Sequence, residues 1–342
     1  MTGLVLLDAH PTQTRVTRLL PGRCHDALHR LLRTTPWSTR KLLAPLVAWI
    51  RRTGAAGYLC LDDVVVEKAS AKRLPWAGWT YSFAKKRKVS GMHVVVLLWC
   101  STDRRFRIPV AFGLWRPKRS CAPVAYQTKL QLAAGMLTEV VASRLPFQYL
   151  VMDTHYTAGW CTRLAGRLGI DWVGTLPPED HGHLAGSAAA GRGAGRPAAP
   201  FVAAEAWPAR GGGQHLCAHV RHAAAGRDQK PSRQPRVPGH QRARRRSIAG
   251  GARKHSRWSV ETIFRDTKQS AGLGACQCWS DQAMVRHVAL VLLAFVVLQR
   301  LRVHPAEPVG TVKERWQLAI TRQGEPPPSP LKACPAHLRA TA

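Results

Sequence analysis

Between residues 57 and 177, short apolar runs alternate with helical patterns, and that succession leaves few folds open. "GYLCLDD" (57–63), "MHVVVLLWCS" (92–101), "FRIPVAFGLW" (106–115), "FQYLVMD" (147–153) and "IDWVGTL" (170–176) each read as a strand. They are short, rich in β-branched and aromatic residues, and bounded by turn residues such as "TDRR" (102–105). Between them, "AYQTKLQLAAGMLTEVVASRL" places Leu130, Ala134, Leu137, Val141 and Leu145 at helical spacing, and "AGWCTRLAGRLG" reads as a second helix. The order is β-β-β-α-β-α-β. The first three strands can form an antiparallel meander, and the helical crossovers make the later ones parallel neighbours with right-handed connections. The expected fold class is α/β, a mixed sheet covered by helices, in which the first and fourth strands end in aspartate: Asp62–Asp63 and Asp153.

A helix returns at "HSRWSVETIFRDTKQ" (255–269), where Val260, Ile263, Phe264 and Thr267 recur on one apolar stripe. Glu261 lies at the stripe's edge. Arg257 stands four residues before it and Lys268 seven after, within a narrow arc of one face. Taken alone, an Arg–Glu pair at that spacing is a common solvated helix pair worth about 0.3–0.5 kcal/mol. The run "VALVLLAFVVLQRL" (288–301) falls short of the ~20 apolar residues a membrane-spanning helix needs and reads as a buried helix.

These readings divide the chain. Residues 1–55 carry short basic helical patterns: either a DNA-contacting unit or a cap packed on the next domain. Residues 56–177 and 256–303 hold the α/β core, and 304–342 form a Pro-rich tail. Between the core's two parts, 178–255 is a basic, low-complexity stretch of Ala, Gly, Pro and Arg with neither a 2.0 nor a 3.6 period. Such a stretch buries too little surface to offset its chain entropy. It reads as a disordered linker or as high-GC coding DNA translated in a shifted frame. The pair of histidines in "HGH" (181–183) is discounted as a metal site because it falls there.

The net charge is +32, from 51 Lys plus Arg against 19 Asp plus Glu. A compact state repels itself at that charge, so a polyanionic partner follows, and nucleic acid fits because Lys and Arg displace counterions from phosphates. A high-GC genome's preference for Arg codons accounts for part of the excess. No basic amphipathic helix points to a membrane surface. The nine cysteines include no C-x-x-C pair, which argues against structural zinc and a secreted disulfide framework, and with no signal-peptide core a cytoplasmic place is expected. The basic run "SFAKKRKVSG" (82–91), with Lys85, Lys86, Arg87 and Lys88, is a solvated loop or a contact to the DNA backbone. Trp76, Trp79, Trp99, Trp115 and Trp160 read as core or packing residues rather than base-stacking platforms.

Aspartates at the ends of neighbouring strands can converge, and a glutamate on a helix packed there can add a third ligand. Three hard oxygen donors suit Mg²⁺ or Mn²⁺, and two such ions about 4 Å apart can activate a water or a 3′-hydroxyl against a phosphodiester.

The set resembles the DDE transposases of bacterial insertion sequences, which have an RNase H-like catalytic domain; the nearest branch carries a long insertion before the last glutamate. "YLCLDDVVVEK" is similar to the family's first-aspartate strand and "YLVMDTHYTAGWCTRLAGRLGIDWVGTL" to its second-aspartate block. "RWSVETIFRDTKQSAGLG" is similar to its Tyr-x-x-Arg-x-x-x-Glu-x6-Lys signature, although Lys254 stands where the tyrosine would be. The family's insertion is rich in β-strands; this one reads as patternless. The resemblance implies catalytic, metal-binding Asp63 (with Asp62 as the alternative), Asp153 and Glu261, and phosphate-holding Arg257 and Lys268. It also implies two Mg²⁺ or Mn²⁺ ions, terminal inverted repeats and target DNA as double-stranded partners, a homodimer on DNA, and a nucleoid-associated bacterial protein. Two other outcomes stay open: an inactive DNA-binding remnant, or an RNase H-like nuclease.

Overall fold

The computed structural model describes residues 25–69, 74, 76–82, 85–157, 159–175, 201–208, 214–221, 259–276 and 278–323. The chain forms two compact units. Met1–Gly57, Asp62–Phe147 and Glu261–Ala342 make the first; Tyr58–Leu61 and Gln148–Val260 make the second.

In the first unit, α1 (His25–Arg33) and α2 (Thr39–Thr53) precede β1 (Gly57–Glu67). Then come β2 (Ala77–Ser82), β3 (Arg87–Ser101), β4 (Arg107–Trp115) and α3 (Lys129–Ala142). α2 ends at Gly54, whose φ of 59° is the left-handed conformation that glycine adopts without a Cβ penalty. β3 is the central strand. Its first half pairs with β2 from Ala77↔Met92 to Ser82↔Arg87, and its second with β4 from His93↔Trp115 to Cys100↔Arg107. The register slips at Leu97/Leu98, where the partner strand carries Pro109, a residue with no N–H to give the ladder. On β3's other side, Lys68 N donates to Ser90 O (2.8 Å) and Thr102 N to Ala56 O (3.0 Å), which makes β1 antiparallel to it. Val94–Cys100 are buried without alternation, as a strand covered on both faces requires.

The meander expected from sequence is present with two differences. β2 is an additional strand, and β1 runs on through "VVVE", so Asp62 and Asp63 sit inside the strand rather than at its end.

α3 opens with a capping box: Thr128 Oγ1 accepts from Gln131 N (3.2 Å) and Gln131 Oε1 from Thr128 N (2.8 Å). Its buried face is Ala133, Met136, Leu137 and Val140, rotated from the stripe anticipated through Leu130, Ala134 and Val141. That rotation brings Lys129, four residues before Ala133, to the covered side. Downstream, α5 (259–270), α6 (Asp281–Arg300) and α7 (Val309–Gln323) complete the unit, apart from Ser259 and Val260. α6 is 20 residues long and apolar enough to cross a membrane by composition, but 67% of its most apolar window is buried inside the protein, in keeping with a core helix. α7 lies where the sequence pointed to a Pro-rich tail; residues 324–342 are outside the described set.

α1 and α2 are docked on α6. The buried Arg286 guanidinium donates to the carbonyls of Leu31 (3.3 Å), Leu32 (3.1 Å), Thr35 (2.7 Å) and Trp37 (2.9 Å), and lies 4.7 Å from the Trp37 ring centre. These bonds fasten α1 and the turn that follows it to α6.

The second unit contains Tyr58–Leu61 of β1, β5 (Leu150–Met152), α4 (Gly159–Arg167), β6 (Trp172–Thr175), β7 (Phe201–Pro208) and β8 (Gln214–Arg221). β5 pairs in parallel with β1 (Leu59↔Leu150 to Leu61↔Met152) and with β6 (Leu150↔Trp172 to Met152↔Gly174). A Cβ on Gly174 would stand 2.2 Å from Thr157 Cγ2 and 3.0 Å from Met152 O, so only glycine fits. β8 pairs antiparallel with both β6 and β7. This hairpin falls in the stretch read as patternless, where no strand was expected. The rest of 178–255, with the disorder and frame-shift readings and the "HGH" histidines, lies outside the described residues.

Candidate active site

Asp63 lies mid-strand with its side chain 12% exposed. Its Oδ2 accepts from two side chains: His93 Nδ1 at 2.9 Å and Lys129 Nζ at 2.7 Å. β3 supplies the histidine, held edge-on to Trp115 at 5.3 Å between ring centres, and the first turn of α3 supplies the lysine. Burial alone would push the Asp63 carboxyl up. The His93 hydrogen bond and the Lys129 charge outweigh it and bring the pKa down from 3.8 to about 2. Asp63 is therefore a carboxylate at neutral pH. Its neighbour Asp62 turns its Oδ1 back on the main chain, accepting from Asp63 N at 2.7 Å.

Asp153 directly follows β5 and opens the turn into α4. Its Oδ1 accepts from Tyr156 N (3.2 Å), while its carbonyl accepts from Tyr156 N and Thr157 N. Tyr156 and Thr157 are buried, so the turn is pinned from beneath. Glu261 is exposed on the first turn of α5, and Lys268 is exposed two turns on. Partial burial of the Lys268 stem still desolvates its ammonium and lowers its pKa. Val260, Ile263 and Thr267 are buried, as the stripe implied, and Phe264 is half-buried. Arg257 lies outside the described residues. Among the described residues, no three or more His, Cys, Asp or Glu side chains gather as a metal-holding group.

The basic run is neither a plain loop nor a uniform cationic patch. Lys85 and Lys86 turn the β2–β3 hairpin, and Arg87 and Lys88 begin β3. Glu67 pairs with Lys85 and, at 3.6 Å, with Arg87. Trp99 is buried and donates to Pro146 O (2.8 Å), but Trp79 is 71% and Trp160 36% exposed, against the reading of all five tryptophans as core or packing residues.

Sequence reasoning missed His93 and Lys129. Each carried a signal. A histidine inside a buried apolar strand needs a polar partner. A lysine in a helix's first turn opposes the helix dipole and needs an anion.

Asp63 is thus a buried, ionised aspartate inside a strand of the first unit, and Asp153 directly follows a parallel strand of the second. The sequence profile of the DDE superfamily endonucleases matches residues 1–211, which include Asp62, Asp63 and Asp153 and end before Glu261. The chain belongs to that family. Among solved structures, the Drosophila P element transposase strand transfer complex is similar at 15% identity and a TM-score of 0.26, covering 53% of this chain and 38% of that one. This chain thus spans under two thirds of that neighbour's length. No curated protein matches the sequence.

Proposed function

We propose that the protein is the DNA transposase of an insertion sequence, acting as a dimer on the element's terminal inverted repeats. The observation that carries this reading is the family match across both aspartates, in a chain with a charge of +32. Asp63, Asp153 and Glu261 are the residues that would hold two Mg²⁺ or Mn²⁺ ions. The donor chemistry fits, since these metals take carboxylate oxygens and Asp63 is kept ionised. Bound metal supplies Lewis acidity to the phosphoryl oxygens and a more acidic water.

The rest falls to the chain's own residues. His93 and Lys129, both on Oδ2, orient the Asp63 carboxylate. Arg257 and Lys268 hold the phosphates flanking the reacting one. In cleavage, a water oxygen bonds to phosphorus, the bond to the 3′-oxygen breaks, and that oxygen leaves as a hydroxyl. In transfer, this 3′-hydroxyl attacks a target phosphodiester and displaces its 3′-oxygen.

The test is strand cleavage by the purified chain on DNA carrying the element's own ends. Cleavage should need Mg²⁺ or Mn²⁺ and stop with chelator. Asp153→Asn and Glu261→Gln should each slow it by about 100-fold or more while leaving end binding nearly unchanged. Binding without cleavage in any metal would make this copy an inactive remnant. Equal cleavage of DNA without the repeats would make it an RNase H-like nuclease.

A further inference from the structure

The β2–β3 hairpin has one packed face and one open one. On the packed face Val89 is buried, and a Cβ on Gly78 or Gly91 would press into Pro117 or Val65. The opposite face begins with buried Ala77 and Met92 at its root. Toward the tip it presents Trp79 across from Ser90 and Tyr81 across from Lys88. Trp79 is 71% and Tyr81 48% exposed. Side chains two apart on a strand share a face about 6.8 Å apart, roughly twice the rise per base of a nucleic acid strand. Lys88, across from Tyr81, and Lys86, in the turn at the tip, are exposed, and among the described residues neither is paired with a carboxylate, unlike Lys85 and Arg87.

A tryptophan ring left 71% exposed at the end of an apolar face is costly unless something covers it. The adjoining charge is cationic, in a chain of +32, so the cover is anionic and offers flat apolar faces. We propose that this hairpin face binds an unpaired DNA strand, with Trp79 and Tyr81 stacking on bases and Lys86 and Lys88 contacting the flanking phosphates. Bases within a duplex have their faces already stacked, so the surface selects strand over duplex. Every base has a π-face, so it selects little by sequence. The inference does not require the carboxylates to hold metal, so binding without metal tests it separately from the transposase reading.

The experiment measures binding of the full chain to a labelled oligo-dT of about 20 nucleotides and to a duplex of equal length, in chelator. Trp79→Ala should weaken single-strand binding about five- to hundred-fold and duplex binding less than about twofold. Trp79→Phe should restore most of the loss, since a ring remains. Lys86→Gln and Lys88→Gln should each lower the single-strand salt slope by about 0.7. Three results would overturn the proposal: single-strand affinity unchanged in Trp79→Ala, equal loss on strand and duplex, or Trp79→Phe failing as badly as Trp79→Ala. So would a shift in oligomeric state without a change in DNA affinity, which would give the face to a second copy of the chain.

Discussion

Asp63 carries a charge inside the fold with His93 and Lys129 sharing its Oδ2, and this has a consequence in acid. Its folded pKa of about 2 lies below the ordinary 3.8, so the carboxylate contributes stability above about pH 4 and loses it as the pH falls through about 2. The contribution at neutral pH is about 2 kcal/mol. Unfolding free energy should therefore fall more steeply between pH 4 and 2 in the wild type than in Asp63→Asn, whose amide does not titrate. Parallel curves would show that the aspartate is not held as described. The converse change, Lys129→Met, should destabilise by about 1–3 kcal/mol at pH 7 and by much less at pH 2, where its partner is half protonated. Denaturant titrations at the two pH values check it. The aspartates themselves were legible in the sequence, since a carboxylate at the edge of an apolar run needs a reason. Their partners were not. Which histidine and lysine reach Asp63 depends on β3 lying beside β1 and on the rotation of α3 about its axis. A one-residue shift in the buried stripe decides that rotation, and the near-continuous apolar run on α3 hid it.

The elements divide by how much of their pattern is local. β3, β5, α5 and α6 were readable because each presents an unbroken apolar run or a clean helical period. β2 was not, since "AGWTYS" alternates aromatic with small polar residues and turns its aromatics outward, the reverse of a half-buried strand. β7 and β8 were missed because they are two eight-residue runs inside a long stretch of Ala, Gly, Pro and Arg that carries no period; β8's pairing with β6 gives the hairpin a place in the second unit. The docking of α1 was also hidden in sequence, since the carbonyls of its last turn and of the turn after it are held by one buried arginine some 250 residues away along the chain. Arg286→Met keeps most of the side chain's volume but leaves the carbonyls of Leu32, Thr35 and Trp37 without that donor. It should cost about 2–3 kcal/mol, because bonds from a charged donor are worth about 1.5–3 kcal/mol each and the buried Leu32 carbonyl is left without that donor, while water can reach Thr35. Hydrogen exchange should show amides of α1 losing protection while those of α6 keep theirs. If α1 stays as protected as in the wild type, Arg286 is not what fastens it.

At the scale of the whole molecule the charge dominates, and it makes a prediction that no single residue controls. A chain of +32 gains on binding DNA by releasing condensed counterions, so the logarithm of the binding constant should fall linearly with the logarithm of salt concentration. Each phosphate neutralised on duplex DNA contributes about −0.9 to that slope, and six to ten contacts give about −5 to −9. Across 50 to 200 mM salt, that is a loss of about 10³- to 10⁵-fold, which fluorescence anisotropy on a labelled duplex reads directly. A slope shallower than about −2 would leave most of the basic residues without a role in binding and return the excess to codon preference. The same measurement separates surface charge from local chemistry. Lys268→Ala removes one cation among 51 Lys and Arg, so it should change the duplex salt slope by at most about one. If Lys268 holds the phosphate beside the reacting one, metal-dependent cleavage should fall far more than binding. Equal losses in binding and cleavage would make Lys268 one more member of the general basic surface.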